Sequence, residues 1–172
     1  MPENASSSPN ASINSVSTED NVSTENYASF LVGEKIALRL IARAEQYSRG
    51  LLNKLLVRGV EISIARDIIN SLLERNLLND QRYAELWIKS RLAGRRSPRQ
   101  LINKLRNKGL DKSTSESAMV LCLDADSEYT LLCDFIEKNP ESRDLEENYL
   151  KPRLKYEGFS LDSIDRYFTE NR

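Results

Sequence analysis

The chain has 172 residues, 40% of them hydrophobic and 30% charged, with a formal net charge of −1. That balance fits one ordinary soluble domain or a few small modules sharing a core, and six glycines with five prolines are too few for an all-β design. There is no histidine, which removes the commonest general base and metal ligand; no Gly-rich phosphate loop appears, and no apolar run reaches the ~20 residues that span a bilayer.

Residues 1–32 carry four acids and no base, among Ser, Asn and Thr with scattered apolar residues and no period. Such a stretch buries too little apolar surface to offset its ordering entropy, which predicts a disordered acidic tail. It has neither the basic start and apolar core of a secretory signal nor the arginines of a transit peptide, so a cytoplasmic protein is expected. From Glu34 the apolar spacing becomes helical. Ile36, Ala37, Leu40, Ile41 and Ala44 predict a first helix ending near Gln46. Ser48 is placed as the cap of a second helix running to Arg58 and stopped by Gly59. Ser63 opens a third, to about Arg75. Asn79-Asp80 signals the next, which carries Tyr83, Trp87 and Ile88. Ser97-Pro98-Arg99-Gln100 joins a capping box to a proline at the first helical position, and Gly109 ends that helix. Ser113 and Glu116 form a second capping box, opening a helix to about Asp124. Helices over 127–138, 148–157 and 160–170 complete the chain. Cys122 and Cys133 are eleven positions apart in helical sequence, which marks them as small core residues rather than a redox or metal pair.

One pattern returns three times: Leu51-Leu-Asn-Lys-Leu55-Leu-Val-Arg-Gly59-Val60, Leu101-Ile-Asn-Lys-Leu105-Arg-Asn-Lys-Gly109-Leu110, and Leu150-Lys-Pro-Arg-Leu154-Lys-Tyr-Glu-Gly158-Phe159. The fold expected is therefore all-α, with about nine helices in tandem three-helix repeats: residues 33–76, a basic unit at 77–125 and an acidic unit at 126–172. Pro152 in the third copy requires its helix to start close by. Charge divides along the same lines, +10 over residues 33–110 and −7 over 111–172. Such polarity points to binding. From Arg82 to Lys108 nine bases face the single acid Glu85.

On the 98–108 helix, Leu101, Ile102 and Leu105 make an apolar stripe; Lys104 and Lys108 line one flank, Arg99, Asn103 and Arg106 the other. Lys54 and Arg58 repeat the first flank. A basic i, i+4 pair near a helix C-terminus is also what the macrodipole favours with no partner at all. Arg95 and Arg96 occupy a loop, where a guanidinium reaches phosphate or carboxylate with both prongs. Arg91 falls on the core side of its helix, one turn after Trp87, which suggests stacking on the indole or binding the last helix carbonyls. Tyr83 and Trp87 read as packing residues.

The stretch 77–110, with Leu78, Asp80, Arg82, Tyr83, Ala84, Arg91, Leu101, Leu105, Lys108 and Gly109, resembles the signature of the RecX family of recombination regulators. The resemblance covers about residues 34–172 and is densest at 77–110. Ser97-Pro98 stands where relatives often have Gly-Pro or Gly, a change the capping box makes harmless. It implies tandem three-helix repeats curved into an elongated array with a basic concave side. It also implies a protein without catalytic residues that binds the groove of the RecA–single-stranded-DNA filament and restrains recombinase, strand-exchange and co-protease activity; with no heptad seam in the sequence, a monomer without cofactor or metal is expected. Charge density, rather than the motif, nominates Arg95, Arg96, Arg99, Lys104, Arg106, Lys108, Lys54 and Arg58 as contacts to recombinase or DNA. Asp80, Arg82, Tyr83, Trp87, Arg91, Leu101, Leu105 and Gly109 are the structural motif residues. Weak duplex DNA binding is a further partner expectation; the alternatives are an independent helical DNA-binding protein using residues 91–108 and a scaffold using the acidic last repeat. Against the first, the helix offers only Asn103 and Gln100 as amide readers of bases.

Overall fold

The computed structural model describes residues 17–92 and 96–171, with side chains from Glu25 onward. Among them every regular element is a helix: α1 Ser17–Arg43, α2 Ser48–Leu56, α3 Ile62–Glu74, α4 Asp80–Lys89, α5 Pro98–Lys108, α6 Lys112–Cys122, α7 Ala125–Lys138, α8 Pro140–Arg143, α9 Glu147–Tyr156 and α10 Leu161–Glu170. The tenth, beyond the nine expected, is the four-residue α8 begun by Pro140.

The chain buries three successive cores. Ala37, Leu51, Leu55, Ile68 and Leu72 join α1, α2 and α3. Ala84, Ile88, Leu101, Leu105 and Met119 join α4, α5 and α6. Leu132, Phe135, Leu150, Leu154 and Ile164 join α7, α9 and α10. Each unit is thus three helices around the repeated leucines, because one amphipathic helix cannot bury its stripe alone. The repeat extends to the turns. Gly59, Gly109 and Gly158 hold φ of 82°, 101° and 91°. Behind them Val60, Leu110 and Phe159 each donate an amide to the leucine carbonyl five residues back, at 3.2 Å in all three. This closure needs a left-handed residue after the helix, which glycine adopts without a Cβ penalty.

Four sequence expectations are corrected. Residues 17–32 are helical rather than disordered: α1 continues through them, Phe30 packs on the first core, and Gly33 lies against Ile68. The expected tail over 1–16 lies outside the described residues. Ser48 does not cap α2; Tyr47 holds that position without a side-chain bond, and Ser48 turns its own N–H to Asp80. Ser63 and Ser113 likewise yield to carboxylates two residues earlier. Glu61 accepts from Ser63 and Ile64, and Asp111 from Thr114, because a charged acceptor binds the free amides of a helix start more strongly than a hydroxyl. Asn79 and Ser97 cap α4 and α5 as expected, by bonds to Arg82 and Gln100. Pro152 stands inside α9, whose first residue is Glu147.

Candidate functional site

The second unit carries an open concavity of about 400 Å³ lined by Trp87, Arg91, Arg96, Lys104, Asn107 and Lys108. Three features of the chain assemble it. The α5 stripe turns Leu101 and Leu105 inward, both fully buried, which leaves Lys104, Asn107 and Lys108 on adjoining outward positions. Helix α4 stops at Lys89, so Arg91 follows the helix instead of sitting on its core side, a further departure from the sequence reading. Released from the helix, its guanidinium lies 5.3 Å from the Trp87 ring centre. Lys108 reaches both Tyr47, at 5.6 Å, and Trp87, at 5.9 Å. Aromatic faces attract cations, and here they also hold two of them beside the opening. Tyr83 packs on Tyr47 with ring centres 4.7 Å apart, and burial raises its phenol pKa against the opposing effect of Arg91. Among the described residues no carboxylate comes within ion-pair distance of Arg91, Arg96, Lys104 or Lys108. Four cations share one open hollow with no counter-charge among the described residues that line it.

The other nominated cations that the structure describes lie elsewhere. Arg106 is exposed, and Arg95 lies outside the described residues. Arg99 is turned to the third unit: its guanidinium lies 3.5 Å from the Tyr156 ring centre and bonds the Tyr156 carbonyl at 3.3 Å. In the first unit Lys54 donates to Gln46 at 2.6 Å and Arg58 to the Lys54 carbonyl at 2.8 Å. Of the seven nominated cations among the described residues the hollow gathers three, Arg96, Lys104 and Lys108, and it adds Arg91, which the sequence reading places among the structural motif residues.

A family profile described as the RecX second three-helix domain matches residues 79–119, the stretch from the cap of α4 to α6 that builds this hollow. A regulatory protein RecX of Treponema pallidum is 33% identical over 106 residues, 61% of this chain and 65% of the relative, so the match spans a little under two thirds of that protein. Another, of Neisseria meningitidis, is 31% identical over 131 residues, 74% of this chain and 83% of its own length. This chain belongs to the RecX family. The crystal structure of RecX from Lactobacillus salivarius overlays with a TM-score of 0.62 at 25% identity, covering 84% of this chain and 97% of that one, which extends the RecX likeness over all three units.

The RecX motif residues turn out to join units as much as to build one. Asp80 accepts from the Ser48 amide at 2.7 Å and its hydroxyl at 3.0 Å, so the first residue of α4 caps α2 of the preceding unit. Arg82 bonds Glu45 at 2.8 Å and the Asn76 and Leu77 carbonyls. Sequence reasoning missed Asn107, one turn from Lys104 on the same face, which helical spacing contained. It also missed Tyr47, Glu45 and Arg49, whose roles depend on a neighbouring unit and leave no local signal.

Proposed function

We propose that this chain is a non-enzymatic cytoplasmic regulator that docks as a monomer on the RecA–single-stranded-DNA filament. Docking restrains recombinase, strand-exchange and co-protease activity in DNA repair and recombination. The second-unit hollow is the contact, with Arg91, Arg96, Lys104 and Lys108 meeting acidic protein surface or DNA phosphate.

One observation carries this reading, and the repeat supplies its control. The i, i+4 pair that follows the first repeated leucine occurs in all three units. In the first, Lys54 and Arg58 are tied to Gln46 and a helix carbonyl; in the third, Arg153 is paired with Glu141 at 3.2 Å and Glu157 is bonded to Ser97. Among the described residues, it is in the second unit that both members, Lys104 and Lys108, line an opening with two further cations and an indole. Charges that a scaffold merely tolerates would be tied to neighbouring polar groups in each unit, as Lys54, Arg58 and Arg153 are. Cations kept unpaired and clustered raise the local potential for an anionic partner.

The test is RecA ATPase and strand exchange titrated with this protein at low and moderate salt, for the wild type and for Lys104→Glu/Lys108→Glu. Inhibition by the wild type that weakens with salt, and a double variant needing at least ~10-fold more protein, are expected. No inhibition at stoichiometric wild type would refute the reading, and full inhibition by the double variant would refute the site. Tight binding to duplex DNA without recombinase would favour the independent DNA-binding alternative.

A further inference from the structure

The two junctions between units bring equivalent residues together, through an arginine side chain at the first and mainly through backbone at the second. At the first, Arg49 is the second residue of α2, and its side chain lies across Gly109, the turn that ends α5; a Cβ there would collide with Arg49 Cδ. At the second, fifty residues on, Arg99 is the second residue of α5, and it lies against Gly158, the turn that ends α9. A Cβ on Gly158 would sit 3.4 Å from the Arg99 amide nitrogen, and that amide donates to the Glu157 carbonyl at 3.0 Å. In both cases the middle helix of one unit presents its second residue to the glycine turn of the next unit's middle helix. The Gly59 turn, by contrast, has nothing within 4 Å of an added Cβ, and the second residue of α9 is Asn148 rather than an arginine.

We propose that this arginine–glycine contact is one joint used twice to set how each unit is carried on the one before, and that Arg99 is a positioning residue rather than a docking residue. The joints are not equally buttressed. The first also has the Asp80 cap on Ser48, the Arg82–Glu45 pair and the Tyr47–Tyr83 stack. The second has, among the described residues, the apolar Leu92 and Leu123 shared by both cores, Glu157 on Ser97, the Arg99 amide on the Glu157 carbonyl, and Arg99 on Tyr156. Arg99 supplies that joint's planar, directional part: stacking on the ring, a bond to the ring's own carbonyl, and an amide bond to the next residue. The acidic third unit is thereby held in one orientation against the basic second unit.

The decisive measurement is the distance between nitroxide labels on S117C and D162C, one in each of the last two units, in the full chain with C122S and C133S. A pair on N103C and S117C, both within the second unit, is the control. Arg99→Ala should shift or broaden the between-unit distribution and leave the control pair unchanged, and Tyr156→Ala should do the same from the other side. Arg49→Ala, measured between units one and two, should do less. An unaltered between-unit distribution in both Arg99→Ala and Tyr156→Ala overturns the joint. The functional arm rests on the docking proposal above. There Arg99→Ala should raise the half-inhibitory concentration about tenfold while keeping the wild-type salt slope, since no charge contact to the partner is lost. A flattened slope would make Arg99 a docking residue and overturn its positioning role. Should the wild type not inhibit recombinase, the docking proposal falls and the label distances still decide the joint.

Discussion

At the scale of the residue, helix ends are set by side chains that bond their own neighbours. Asn79, Ser97 and Gly109 do what their spacing promised, because a cap bonds an amide two or three residues away. Where two acceptors stood two residues apart, at Glu61 with Ser63 and Asp111 with Ser113, the hydroxyl was chosen and the carboxylate does the work. Asp111 gives a pH test. The Thr114 hydroxyl, then the Thr114 amide and the Ser113 hydroxyl, hold its carboxyl well below the usual carboxylate range. A folded-state pKa below the unfolded value means its contribution is present above that value and is lost as pH falls through the folded pKa. Asp111→Asn keeps an acceptor without the titration. The wild type should therefore be the more stable of the two near neutrality, with the gap closing as pH falls below about 4. Urea unfolding of both proteins over that range measures it. Arg99 marks the limit of charge counting: a guanidinium kept for its plane and one kept for its charge look identical in sequence.

Helices were legible from periodicity, yet their bounds shifted where the deciding contact came from another element. Helix α1 was begun at Glu34, where strong apolar spacing starts, although Phe30 and Gly33 already face the first core. The smallness of Gly33 and Ala37, one turn apart and both buried, is what admits α3 so closely. Helix α5 shows how stripe and flank divide their labour. Leu105→Ala removes a fully buried side chain and should cost about 2–5 kcal/mol in denaturant unfolding, whereas Lys104→Glu should stay within ~0.5 kcal/mol while affecting docking. Gly109→Ala combines a φ of 101° with displacement of Arg49, while Gly59→Ala meets only its φ of 82°. Gly109→Ala should therefore be the more destabilising, and prior Arg49→Ala should narrow that difference in a double-mutant cycle.

For the whole molecule, three cores in series make stability a matter of units and the joints between them. Leu154→Ala opens a cavity in the last core only. Hydrogen exchange should quicken by roughly 10²–10³-fold in α7, α9 and α10, while α2 and α3 keep their protection. Equal quickening throughout would mean that the chain unfolds as a single block. The three-unit plan was visible beforehand because the leucines and glycines recur at nearly fixed spacing. The hollow was visible only as an excess of charge, since deciding which cations share it required knowing where α4 stops and what the third unit claims.

The Asp80–Ser48 bond also gives the fold a direction in time. Helix α2 begins at Tyr47 with no side-chain cap of its own, and its acceptor lies 32 residues downstream, in the next unit. On a ribosome adding about 5–20 residues each second, Ser48 therefore emerges roughly two to six seconds before the carboxylate that completes its helix start. The first unit leaves the exit tunnel unfinished and is finished by the second.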